Sequence, residues 1–161
     1  MVKIIDLDDI DKRILGQIQE DATRSIQEIA DAVGLSSNPC WRRIRRMEED
    51  GVIKRRVAIV DAAKVGLGAT VFVTIRTKQH DSAWLEAFAK GVRKLPEIIE
   101  CHRMSGDVDY LLKVVVRDIP HYDAVYQRLI GLVPGLGDVS SAFSMESLKE
   151  GTAVDPQTIP G

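Results

Sequence analysis

The sequence predicts an α+β protein built as an N-terminal three-helix helix-turn-helix domain followed by a ferredoxin-like βαββαβ domain. Three observations predict it. Apolar residues recur at helical spacing in three short segments before residue 50. A connector with two glycines, DAAKVGLG, follows at 61–68. Beyond it, β-branched runs and helical patterns alternate in the order β-α-β-β-α-β. The predicted boundaries are 1–60 for the helical domain, 61–68 for the linker, 69–150 for the second domain and 151–161 for a tail. The 161-residue chain is 45% apolar and 29% charged, enough to bury two small cores.

The first helix is expected over about Asp8 to Asp21, with Leu7, Ile10, Ile14 and Ile18 on one stripe and Asp8 as N-cap. Asp9 and Asp11 suit the positive end of its dipole. The second opens on Ser25-Ile26-Gln27-Glu28, a capping-box pattern, and ends at Gly34 as a left-handed cap. The third starts after the Gly34-Leu35-Ser36 turn, with Ser36, Ser37 or Asn38 as cap and Pro39 in its first turn. Cys40, Ile44 and Met47 fall at i, i+4 and i+7 and face inward; Asn38, Arg42, Arg45 and Arg46 fall on the opposite side.

Val52-Ile53 and residues 57–60 then read as extended. Strands are expected at Thr70–Thr77, Ile98–Met104, Tyr110–Val116 and Ser140–Leu148, and helices at Ser82–Lys94 and Tyr122–Val133. The tail from Gly151, with Pro156 and Pro160, reads as loose or borrowed by a partner. The runs 70–77 and 110–116 carry apolar residues at adjacent positions, so both sheet faces should be covered. A second copy of the chain is the economical cover, which predicts at least a homodimer.

Net charge is −2, but its distribution is uneven. Residues 1–40 hold four bases against eight acids, net −4; residues 41–60 hold seven against three, net +4. A local field of this kind attracts a polyanion whatever the total charge. Four arginines in the five positions 42–46, on the second helix of a helix-turn-helix, favour DNA contact over a merely solvated face. Arg42 and Asn38 are candidates for base edges, and Arg45 and Arg46 for phosphates. Arg43, nearest the apolar stripe, suits an ion pair or a phosphate. Trp41 flanks the stripe, with packing its first expected role and a sugar-phosphate strand its second. Ser36 and Ser37 at the helix start complete the contact set. Lys54 and Arg55, with Arg56, either extend the phosphate track or protect an edge strand.

Other chemistries find little. His80, His102 and His121 lack metal spacing, and Cys101 and His102 point to opposite faces of a strand. No metal site and no cofactor are expected. The cysteines, Cys40 and Cys101, are too few for a disulfide framework and fit a reducing compartment. The acidic N-terminus MVKIIDLDDIDK lacks a signal peptide's apolar centre, and no apolar run is long enough to span a bilayer; a cytoplasmic location without membrane association is expected.

In order and spacing the segments LDDIDKRIL (7–15), EIADAVGLS (28–36), NPCWRRIRRMEEDGVI (38–53), AIVDAAKVGLG (58–68) and ECHRMSGDVDYLL (100–112) resemble the Lrp/AsnC family of bacterial and archaeal transcriptional regulators, also called feast/famine regulators. The resemblance implies a sequence-specific regulator of double-stranded DNA rather than an enzyme. It implies a second domain of the RAM type that binds a small-molecule effector, commonly an amino acid. It also implies dimers assembling into higher even oligomers, up to octamers. On that basis Gly106, Asp107, Val108 and Asp109 are expected at the effector, with Ser140 and Ser141 as weaker polar contributors. The residues alone also allow a simple turn at Ser105-Gly106-Asp107. Members with a Cys-Trp motif on the reading helix, here Cys40-Trp41, form a subgroup that typically ends Lys-Tyr-Thr-Thr-Ala-Leu-Pro, and the C-terminal KEGTAVDP departs from that ending at Glu150, Gly151 and Val154. Two competing readings are a siroheme-decarboxylase-like enzyme on a similar fold, for which His102 and Arg103 are the available neighbours, and a chromatin-like DNA-compacting protein.

Overall fold

The computed structural model describes residues 4–79 and 81–160, so His80 and the first three residues of the acidic N-terminus lie outside the described residues. The chain divides into two compact units: one of residues 1–59 with 149–161, the other of residues 60–148.

In the first unit, α1 spans Asp9–Glu20, α2 Ile26–Val33 and α3 Ser37–Glu49. Both expected N-caps form as capping boxes, Asp8 with Asp11 and Ser25 with Glu28, each supplying two otherwise unpaired amides with a partner. Gly34 ends α2 at φ +74°, the left-handed geometry glycine adopts without strain. Ser36 precedes α3 in an extended conformation, yet its side chain makes no capping bond. Ser37 instead hydrogen-bonds Gln27 on α2. Leu7, Ile14, Leu15, Ile18, Ile29, Ala30, Val33, Cys40, Ile44 and Met47 form one core between the three helices.

The tail is not loose. Residues 149–161 belong to this unit. Ile159 packs against its core, Lys12 Nζ donates to the Ile159 carbonyl at 3.0 Å, and the Gln19 amide exchanges two hydrogen bonds with the Val154 backbone at 2.9 and 2.8 Å. Pro156, in a short 3₁₀ turn at Pro156–Thr158, lies over Gly16 of α1. The expectation of a loose or partner-held tail rested on its prolines and polar composition; one apolar residue and two side chains of α1 are enough to hold it.

The second unit contains β1 Ala69–Arg76, α4 Ser82–Arg93, β2 Ile98–Arg103, β3 Tyr110–Val116, α5 Ile119–Leu132 and β4 Asp138–Phe143. The antiparallel sheet runs β2-β3-β1-β4, the ferredoxin-like order. Val71, Val73, Ile75, Leu112, Val114 and Val116 pack against Trp84, Phe88, Tyr122, Val125 and Leu129 of the two helices. The other face carries half-buried Leu111 and Val115, with Phe72 40% exposed. Helix α5 begins earlier than expected because Asp118 caps it and Pro120 occupies its first turn, where a proline lacks nothing it needs. Strand β4 starts at Asp138 and stops at Phe143, short of the expected Leu148.

Residues 57–60 enter no ladder, and Val57, Ile59 and Val60 are exposed. The apolar run expected to be extended forms no strand pairing among the described residues. Among the described residues there is no cluster of metal-ligating side chains and no helix long and apolar enough to cross a membrane.

Candidate nucleic-acid interface and effector loop

Helix α3 turns Cys40, Ile44 and Met47 fully inward. That fixes its rotation, and the 100° step then sets where every other side chain goes. Asn38, Arg42 and Arg45 are exposed. Arg42 has no ion pair among the described residues. Arg45 lies 3.7 Å from each of Glu48 and Glu49, long contacts on the surface, and its guanidinium stands 5.9 Å from the centre of the Trp41 ring. Trp41 itself is half exposed and lies outside the buried core of the three helices. Ser36 is exposed and Ser37 half-buried at the start of the helix.

Two arginines of the cluster differ from the rest. Arg43 Nη1 donates to Asp8 Oδ2 at 2.7 Å and Asp11 Oδ1 at 2.8 Å. The ion pair anticipated for it is present. Bonds to Asp8 and then Asp11 raise its pKa above the ordinary guanidinium value. Asp8 in turn is held below the usual carboxylate range, first by the Asp11 amide and then by Arg43. Arg46 was expected to stand outward with Arg42 and Arg45. It stays half exposed, but its Nη2 bonds Asp11 Oδ2. A residue 100° beyond Arg45 reaches back to the first helix because a long side chain can bend around the edge of the stripe. Lys54 and Arg55 are exposed, whereas Arg56 bonds Glu48 at 3.2 Å. No strand forms here for them to protect.

In the sheet unit, the 105–109 loop joins β2 to β3. Gly106 sits at φ +118°, with open space where a Cβ would be. The Asp107 carbonyl accepts from Arg76 Nε at 2.7 Å, leaving the Asp107 carboxylate exposed. The Asp109 carboxylate accepts from the Thr77 amide at 2.7 Å, and the Asp109 amide donates to the Ile75 carbonyl at 2.9 Å. Asp109 thus fastens the loop to the end of β1. Val108 is half-buried. Ser140 pairs with Thr74 and Ser141 with Val73, so the two serines lie on opposite sheet faces. Ser141 shares a hydrogen bond with the Tyr122 hydroxyl on the helix side. The structure therefore gathers Gly106, Asp107, Val108 and Asp109 and does not bring Ser140 and Ser141 to one place.

Two participants went unnoticed in the sequence. Arg76 supports the loop from β1. Gly137, at φ +53°, lets the β4 start approach so closely that a Cβ would come within 2.2 Å of the Arg76 carbonyl. The Pro134-Gly135-Leu136-Gly137 run was the available signal.

This geometry has counterparts. Residues 7–54 match the model of winged helix-turn-helix DNA-binding domains, and residues 70–154 match that of the Lrp/AsnC ligand binding domain. The chain is similar to the glutamate uptake regulatory protein of Zymomonas mobilis, 50% identical over 153 residues, covering 94% of this chain and 93% of that protein. It is similar in structure to an AsnC family transcriptional regulator from Agrobacterium tumefaciens, with TM-score 0.88, 53% identity, and 92% and 96% of the two chains covered. A transcriptional regulator from Neisseria meningitidis in complex with L-Met aligns with TM-score 0.87 at 29% identity, again over 92% and 96%.

Proposed function

The chain belongs to the Lrp/AsnC family of DNA-binding transcriptional regulators, and from that premise we propose which of its residues read DNA and which meet the effector. It is a regulator with a small-molecule-binding domain and not an enzyme; relatives at this level of identity bear regulator names, which removes the decarboxylase reading.

Asn38 and Arg42 read base edges in the major groove, and Arg45, Arg46, Lys54 and Arg55 meet phosphates. Ser36, Ser37 and Trp41 line the same surface in supporting positions, and Arg43 braces the helix through Asp8 and Asp11. The observation that carries this reading is the division of α3: three fully buried apolar residues on one side, and exposed Asn38, Arg42 and Arg45 on the other. An arginine or asparagine opposite a base edge is worth about 1–3 kcal/mol of discrimination. Arg42→Ala is therefore expected to weaken binding to a duplex selected by the protein from a random pool by about 5- to 150-fold, and to a mixed-sequence duplex far less. Equal losses on both would reduce Arg42 to a phosphate contact. Failure to select any preferred sequence would favour the chromatin-like reading.

The effector is an amino acid held by the 106–109 loop. The exposed Asp107 carboxylate suits its ammonium, and the end of Arg76, beside it, suits its carboxylate. The Neisseria regulator's L-Met complex and the Zymomonas regulator's name support this ligand class. Asp109 acts by shaping the loop, and Ser140 contributes from the face that also carries Arg76, Ser141 from the helix side. A thermal-shift screen of the amino acids is expected to yield a ligand whose shift Asp107→Ala abolishes while DNA binding survives; an undiminished shift would place the effector elsewhere. A homodimer covers the half-apolar sheet face around Phe72, and dimers assemble into higher even oligomers up to an octamer. Phe72→Asp should lower the sedimenting mass; an unchanged mass would remove that face from the interface.

A further inference from the structure

Asp11 is a charged residue only 1% exposed, and donors surround it. Its Oδ1 accepts from Arg43 Nη1 at 2.8 Å, and its Oδ2 accepts from Arg46 Nη2 and, at 3.3 Å, from the Asp8 amide. The same residue is the closing member of the α1 capping box. One carboxylate therefore terminates the first helix and grips two side chains of the third, at sequence separations of 32 and 35. The grip is unequal. Arg43 is shared with Asp8 and its side chain is 27% exposed, whereas Arg46 is anchored at one corner with its side chain 49% exposed.

An ion pair that buries one member contributes little net stability, because desolvation offsets the attraction. Its lasting effect is on geometry. A free arginine side chain must lose rotamer freedom when it grips a phosphate; one already tied at Nη2 does not. We infer that Asp11 is a positioning residue for DNA recognition: it holds Arg43 away from the duplex and presets the Arg46 guanidinium to meet a phosphate in one orientation, seating α3 in a single register. The inference rests on the reading of α3 as the DNA-contacting helix.

The consequence separates specific from non-specific binding. A specific complex has one register, in which a preset guanidinium helps. On arbitrary DNA any orientation serves, and an Arg46 released from its anchor finds a phosphate freely, while Arg43 keeps its bond to Asp8. Asp11→Asn keeps the side chain's size and removes its charge. With the full-length protein, it is expected to lower affinity for the selected duplex about 3- to 10-fold, from the rotamer freedom restored to Arg46. Affinity for a mixed-sequence duplex should hold or rise, and the slope of log affinity against log salt should steepen by about one contact. On the selected duplex, Arg46→Ala should lower affinity too, and the double variant should lose no more than the larger single loss, because the two residues act as a unit. Parallel losses on both duplexes, or additive losses in the double variant, would overturn the inference and leave Asp11 as scaffold. If Asp11→Asn does not fold, Arg46→Lys decides: it keeps the charge, loses the anchored fork, and should lower the selected-to-mixed affinity ratio about 3-fold at an unchanged Tm, an unchanged ratio overturning the inference. Arg42→Ala, run on the same duplexes, distinguishes the failures. Affinities unchanged on both duplexes there sink the reading of α3 itself; an affinity lost there beside inert Arg46 variants sinks only the role of Asp11.

Discussion

The helical unit and the sheet unit bury their apolar residues in different ways, and the difference explains where each keeps its functional surface. Three helices and the tail surround one core, so every side chain that does not point inward is free to be polar. That freedom is spent on arginines. The sheet unit has helices on one face alone; its second face retains Phe72, Leu111 and Val115 among polar neighbours. A closed core leaves a charged surface for a polyanion, whereas a half-covered sheet leaves an apolar one suited to another copy of itself.

The largest effects should come from testing whether the two cores are separate. Ile44 and Leu112 are each fully buried, in different units. Truncation of either to alanine is expected to destabilise by about 2–5 kcal/mol. Hydrogen exchange should show Ile44→Ala loosening residues of α1 to α3 and sparing β1 and β3, and Leu112→Ala doing the reverse. If either variant loosened both units together, they would have to be treated as one cooperative body.

Next is a backbone test of the 105–109 loop. Gly137 and Gly106 both have positive φ, but a Cβ at Gly137 collides with the Arg76 carbonyl and one at Gly106 meets open space. Gly137→Ala is expected to cost about 2 kcal/mol or more, and Gly106→Ala about 1 kcal/mol, from strain alone. Equal midpoints in thermal unfolding would mean that the β4 start yields to the added methyl, and the close approach would then play no part in holding the loop.

Much of this was legible in the sequence, and the boundary has a physical cause. Signals that act within four residues were readable: the Asp8 and Ser25 caps, the Gly34 stop, and the inward stripe of Cys40, Ile44 and Met47. Signals that depend on what lies across space were not. Nothing near Asp11 in sequence shows that Arg43 and Arg46 will close on it. The tail's prolines suggested freedom, and only the fold places Gly16 where Pro156 fits. The serines 140 and 141 looked like one polar pair until the strand sent them to opposite faces.

Glu97 is one carboxylate through which the sheet unit's stability responds to acid. Burial pushes its pKa up, but the Arg128 hydrogen bond, its own amide and His121 outweigh burial and bring it below the ordinary value of 4.5. A lowered folded pKa means that the stabilisation is complete above 4.5 and is lost as pH falls through the folded value. Glu97→Gln should remove about 1 kcal/mol at neutral pH, a figure kept small because Arg128 is half exposed. It should also flatten the fall in Tm below pH 4.5. An acid limb as steep as the parent's would assign that fall to other carboxylates.

The smallest predicted effect is also the most local. Ser25 and Ser36 look alike in sequence, each a serine one residue before a helix. Ser25 accepts the Glu28 amide at 3.2 Å and has its own amide held by the Glu28 carboxylate at 2.7 Å. Ser36 makes no such bond. A cap is worth what its hydrogen bond satisfies, not what its residue type suggests. Ser25→Ala should therefore cost about 0.5–1 kcal/mol in denaturant unfolding, and Ser36→Ala close to nothing. A loss at Ser36 as large as at Ser25 would mean that its hydroxyl caps α3 in solution, and α3 would then be held at its start by the same device as α2. An absent loss leaves the start of α3 to the Ser37–Gln27 bond, a contact between the two helices of the turn rather than a cap within one.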